Sequence, residues 1–118
     1  MNIEQFRNYC LTKKGVTESL PFDDKTLVFK VLNKMFALTS LVPEEFRVNL
    51  KCDPEKAIEL RETYQNITAG YHMSKKHWNT VIVDRSISDK LFIELVNHSY
   101  DLVVSKMTKK DKELLKSL

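Results

Sequence analysis

Residues 25–51 read KTLVFKVLNKMFALTSLVPEEFRVNLK, and this stretch decides the fold. Residues 25–32 and 35–41 are rich in β-forming side chains, and Asn33-Lys34 between them suits a two-residue turn. That turn pairs Val31 with Phe36 and Phe29 with Leu38, and leaves Lys30 opposite Ala37. Residues 46–51 then alternate: Phe46, Val48 and Leu50 point one way, Arg47, Asn49 and Lys51 the other. One sheet face is therefore apolar, and the opposite face carries Lys30, Arg47 and Lys51. An antiparallel sheet with one solvated face produces this pattern.

The flanks supply helices. Asn2 followed by Gln5 is a capping-box pattern, and Ile3, Phe6 and Cys10 recur at helical spacing, so a first helix is expected over 3–14, ended by Gly15. Asp53-Pro54 opens a second helix with Ala57, Leu60 and Tyr64 as its apolar stripe. A polar connection through Asn66, Thr68 and Gly70 leads to a fourth strand over 77–84. Ser88 caps a third helix, with Ile87 and Phe92 as a hydrophobic staple. Thr108 caps a last short helix with Leu114, Leu115 and Leu118 on its apolar side. The order α-β-β-β-α-β-α-α indicates an α+β fold, an antiparallel sheet with helices packed on one face.

The 118 residues are expected to form a single domain spanning 1–118, since domains cluster around ~100–150 residues. The longest apolar run is four residues, Met35 to Leu38, too short to cross a bilayer. No apolar segment follows Glu4 and Arg7, so no signal peptide is expected. Cys10 and Cys52 lack metal or redox spacing and are expected to be reduced, buried thiols of a cytoplasmic protein.

The net charge is +3. Residues 1–104 hold 14 basic and 14 acidic side chains, so the excess lies in the last fourteen residues, where five Lys face Asp111 and Glu113. A second basic feature sits between Glu62 and Asp84, a stretch without carboxylates that contains Lys75, Lys76, His72 and His77.

Enzyme signatures are absent. Two glycines cannot build a dinucleotide or phosphate loop, and neither HExxH nor paired CxxC occurs. His72, His77 and His98 are the only histidines, and no metal site or catalytic residue is assigned to them. No cofactor is implied.

The segment Tyr71-His72-Met73-Ser74-Lys75-Lys76-His77-Trp78-Asn79-Thr80-Val81 resembles the MmcQ/YjbR-like family of small bacterial proteins. So do Pro21-Phe22, Lys34-Met35-Phe36-Ala37, Asn49-Leu50-Lys51-Cys52-Asp53-Pro54 and Ser99-Tyr100, in the family's order along nearly the whole chain. The family often has Gly in the first hairpin turn, where this chain has Asn33-Lys34. The resemblance implies a fold like the bacterial frataxin homologue, also described as a double wing, and DNA binding is the usual inference drawn from that architecture. Iron binding, the other inference from a frataxin-like fold, lacks an acidic ridge here, with only Glu4 and Glu18 near the first helix.

Two kinds of partner remain open. For DNA, the candidate residues are Lys30, Lys34, Arg47 and Lys51 on the sheet, Lys75, Lys76, His77 and Trp78 in the loop, and Lys109 and Lys110 at the last helix. Lys106 belongs to the same basic tail. The sequence pI of about 8.8 is modest for a dedicated DNA-binding domain, which usually exceeds ~9. For a small molecule or protein, the candidates are Tyr71, His72, Trp78, Ser99 and Tyr100, lining a pocket between the connection and the third helix. In the competing structural role, Ser99 and Tyr100 lock that helix onto the sheet.

Overall fold

The structure is a computed structural model that describes residues 1–42, 44–70 and 73–118. Its elements run α1 (Ile3–Leu11), β1 (Val16–Ser19), β2 (Thr26–Val31), β3 (Lys34–Ser40), β4 (Arg47–Lys51), α2 (Pro54–Thr63), β5 (Ile67–Ala69), β6 (Trp78–Ile82), α3 (Asp89–Ser105) and α4 (Lys109–Ser117). Every element expected from the sequence is present in the expected order. Two short edge strands, β1 and β5, are added.

Six strands among the described residues form one antiparallel sheet in the order β1-β2-β3-β4-β6-β5. All four helices contribute to one apolar cluster against one face: Phe6 and Cys10 from α1, Leu60 from α2, Phe92, Leu95, Val96 and Val103 from α3, and Leu115 from α4. Phe6 is the hub, edge-on to Phe29 at 5.4 Å and to Phe46 at 5.7 Å. Burying each such ring contributes about 1.5–3 kcal/mol, so this side of the sheet carries most of the stability.

The helix ends follow from local chemistry. Asn2 and Gln5 form the reciprocal capping box, Asp53 and Pro54 open α2, and the Ser88 and Thr108 hydroxyls accept from Leu91 N and Asp111 N. Helix α1 stops at Leu11, three residues short of expectation, because the Thr12 hydroxyl donates to the Tyr9 carbonyl and the chain turns through Gly15 at φ 76°. A Cβ at Gly15 would also meet Leu115 of α4 at 2.5 Å.

The hairpin register differs from the expected one. The turn is Leu32-Asn33, with φ of 45° and 69°, and Val31 pairs with Lys34. Two left-handed residues give the type I′ geometry whose twist matches the strands. Lys30 then faces Met35, while Phe29 faces Ala37, so one extra residue is accommodated at Phe36. This β-bulge turns Phe36 as well as Ala37 toward the helices, which simple alternation cannot do.

The bulge leaves the β3–β4 ladder incomplete. Ala37 pairs with Leu50, but the next pair, Phe36 with Lys51, is not formed. The hydroxyl of Ser99, fully buried on α3, fills the gap: it donates to the Phe36 carbonyl at 2.6 Å and accepts from the Lys51 N–H at 2.9 Å. One side chain thus replaces a ladder rung and fastens α3 to two strands.

Candidate functional site

The helix-free face of the sheet is not wholly solvated. Register places Lys30 beside Met35, Asn49 beside Thr80 and Lys51 beside Trp78 on this side. Between them lies a second, smaller cluster of Val28, Leu38 and Trp78, packed with Met35 and Met73. Met73 reaches it from the connection between β5 and β6. That connection is held close by Gly70, whose N–H donates to the Trp78 carbonyl at 2.8 Å. A Cβ at Gly70 would lie 2.7 Å from the Trp78 Cβ, so glycine is required by this approach.

Trp78 is only 7% exposed. It is buried, but on the face opposite α3, and it offers little ring surface for stacking beside Lys75 and Lys76. Those two lysines are exposed. His77 is half-buried, its backbone tied to Ser74 and Cys52.

Two depressions flank the small cluster. The first lies at the end of the sheet where β3 begins and β4 ends, and has a volume of about 410 Å³. Lys34, Lys51 and Lys106 line it with Met35, Trp78, Val103 and Met107, and none of these lining residues is acidic. Three cations from a hairpin, a strand and a helix end converge there. Lys109 and Lys110 follow Met107 closely in the chain and are exposed. The amino end of α4 is less open to an anion than its lysines suggest, because Asp111 lies in its first turn and its N–H is taken by Thr108.

The second depression, about 480 Å³, lies toward the other end of β3 and β4. Phe22, Leu38, Met73 and Asn49 line it, and Arg47 and Asp23 supply charge. Phe22 is 65% exposed. Its neighbour Asp23 accepts from Lys25 N at 2.9 Å and Thr26 N at 2.7 Å, which anchors the turn and holds this carboxyl below its usual range. Arg47 is paired with Glu45 through Nε.

Of the expected pocket residues Tyr71, His72, Trp78, Ser99 and Tyr100, the three described ones, Trp78, Ser99 and Tyr100, do not share a cavity. Tyr71 and His72 lie outside the described residues. Ser99 is consumed by the ladder gap. Tyr100 packs edge-on to Phe36 at 5.5 Å, donates its hydroxyl to the Lys14 carbonyl at 2.6 Å and sits under Lys13. These two residues lock α3 to the sheet and to the α1–β1 turn, while Trp78 faces the other way.

One further constellation has the residue types of a thiol hydrolase. Cys52, His98 and Asn79 line a cavity of about 10 Å³, the size of about one water and too small for a substrate. Burial pushes the Cys52 thiol up, away from the reactive thiolate. His98 is depressed, first by burial and then by Lys56, and its Nε2 accepts from the Asp53 N–H at 3.2 Å. These groups serve the entry to α2. Among the described residues, no cluster of three metal-ligating side chains occurs.

Sequence reasoning placed Lys34 and Lys51 among the candidates and noted Lys106. It missed Phe22, Asn49 and Met73. Asn49 alternates with Arg47 and Lys51 along β4, so its face was legible. The position of Phe22 depends on the Asp23 turn, which leaves no periodic trace.

Comparison with known proteins gives a consistent picture. The YjbR family model matches residues 11–102. The uncharacterized Escherichia coli K12 protein YjbR is 33% identical over 118 residues, the whole of both chains. The uncharacterized Escherichia coli O157:H7 protein YbdF is 40% identical over 93 residues, 79% of this chain and 76% of that one. A crystal structure of a Deinococcus radiodurans protein superposes with a TM-score of 0.91 at 42% identity, covering 98% of this chain and 88% of that one. A Pseudomonas syringae protein superposes at 0.76 with 28% identity, covering 86% and 98%.

Proposed function

The chain belongs to the YjbR family, and from that premise we propose that it binds DNA through the lysine-lined end of its helix-free sheet face. The observation that carries this reading is the convergence of Lys34, Lys51 and Lys106 on one depression with no acidic lining residue. A polyanion bound at these three lysines releases its own condensed counterions, which drives association. Lys30 lies on the same face as Lys51, and Lys75, Lys76, Lys109 and Lys110 are exposed. In this reading the protein is cytoplasmic, and two free, buried cysteines accord with a reducing compartment. None of the described helices is long and apolar enough to cross a membrane.

The test is a mobility shift with duplex DNA at ~50 and ~200 mM salt. Neutralising about three phosphates predicts a slope near −2.7 in log K against log salt, hence an affinity loss of about 40-fold over that range. Replacing Lys34, Lys51 and Lys106 together by Ala flattens the slope. No shift at the lower salt with micromolar protein refutes the reading, as does an unchanged slope in the triple variant.

A further inference from the structure

We infer that the nucleic acid taken by this face is single-stranded, with one unpaired base held against Phe22 in the depression that Leu38 and Met73 also line. The inference rests on the DNA-binding reading and specifies its ligand. A duplex offers phosphates outward and keeps its bases stacked inside, so it makes no use of a recessed apolar site. The depression beside Phe22 is such a site: its walls are Phe22, Leu38 and Met73, and its volume of about 480 Å³ lies within the range of small-ligand pockets, ~300–1,000 Å³. An aromatic ring at 65% exposure is a stacking platform that any base can use. Asp23 anchors the turn that follows Phe22 through the Lys25 and Thr26 N–H groups.

The polar groups suit a base edge. Asn49 accepts the Thr80 hydroxyl through its amide oxygen, which leaves its NH₂ group as the donor to a base carbonyl or ring nitrogen. Arg47 contributes a guanidinium at the rim, one N–H of which is taken by Glu45. The lysine-lined depression shares no lining residue with this site and lies toward the other end of β4. Arg47, Asn49 and Lys51 project from the same side of β4, so about 13 Å of strand, at ~3.3 Å per residue, separates the two ends. The shared cluster of Leu38, Met73, Met35 and Trp78 forms the ground between them. A strand lying along β4 thus puts its base in the apolar recess and its phosphates on Lys51, Lys34 and Lys106.

The experiment is fluorescence anisotropy at ~50 mM salt with three labelled probes of equal length: oligo(dT), a duplex, and an abasic strand that keeps the phosphates but lacks bases. The expected result is about ten-fold tighter binding of oligo(dT) than of either other probe. Phe22→Ala, a change at an exposed ring outside the core, removes that advantage and leaves duplex binding unchanged. Equal binding of oligo(dT) and the abasic strand overturns the inference but leaves the DNA reading standing. So does a Phe22→Ala protein that binds oligo(dT) as the parent does. If none of the three probes binds, both fall.

Discussion

Replacing Ser99 by Ala should be among the costliest single-atom deletions in this protein. The substitution removes only a hydroxyl, and Ala suits a helix better than Ser does. What it leaves behind is a gap in the β3–β4 ladder, with the Phe36 carbonyl and the Lys51 N–H deprived of the group that bonded both. Ser99 is 0% exposed, so water does not reach that spot without local opening. An unsatisfied buried donor or acceptor costs ~1–3 kcal/mol, so two together predict a loss of about 2–4 kcal/mol after partial relaxation. At roughly 4 °C per kcal/mol for a domain of this size, the melting temperature falls by about 8–16 °C. Urea unfolding followed by circular dichroism measures the loss, and amide exchange locates it at Lys51. Ser105→Ala is the control in the same helix, since its hydroxyl donates to the Leu102 carbonyl at an exposed position and should cost less than ~0.5 kcal/mol. If Ser99→Ala costs no more than Ser105→Ala, the hydroxyl is not a structural rung and the account of the bulge is wrong.

Other perturbations test neighbouring parts of the argument. Gly70→Ala drives a Cβ to 2.7 Å from the Trp78 Cβ and 3.0 Å from its carbonyl oxygen. Backbone cannot yield as a side chain would, so a cost of about 1–3 kcal/mol is expected, with red-shifted emission from the single tryptophan; unchanged melting and emission would contradict the close approach. His98 is held neutral below its ordinary value, so its contribution to stability is full above pH ~6.5 and is lost as pH falls from there through the folded value. Urea midpoints at pH 7.5 and 5.5 should fall for the parent and fall less for His98→Gln; parallel losses would show that another group is responsible. Burial pushes the Cys10 thiol up to about 12 and raises Cys52 as well, so neither should react with a disulfide reagent at pH 8 until denaturant is added. Rapid labelling of the native protein would contradict their burial.

Much of the fold was legible because its signals are periodic or capped. Arg47, Asn49 and Lys51 alternate with Val48 and Leu50, and that alternation survives in the structure. Asn2, Asp53, Ser88 and Thr108 mark helix starts by chemistry that acts over three residues. The edge strands were not legible, because β1 is Val-Thr-Glu-Ser and β5 offers a single fully buried side chain, Ile67; both exist because neighbouring strands template them. The hairpin register was misread by one residue because Leu32 is a poor αL residue in isolation, and the twist of the flanking strands overrides that preference. The site was legible in part. Lys34, Lys51 and Lys106 are far apart in the chain, and only the sheet end brings them together. Trp78 invited a stacking role that its burial removes, and Ser99 and Tyr100 invited a ligand role that the ladder gap and the Lys14 carbonyl account for.

The two faces of the sheet have different depths, and this separates the inheritance of shape from the inheritance of chemistry. Along β4, Val48 and Leu50 belong to the large core, while the side chains of Arg47 and Asn49 bond outward, to Glu45 and Thr80. Exchanges on the outward side are therefore expected to act independently of those on the inward side. A lineage can rewrite the outward residues one at a time without passing through an unfolded intermediate. The same architecture can then serve different ligands in different descendants, so conservation of the outward side chains, rather than of the fold, is the measure of whether two members do the same work.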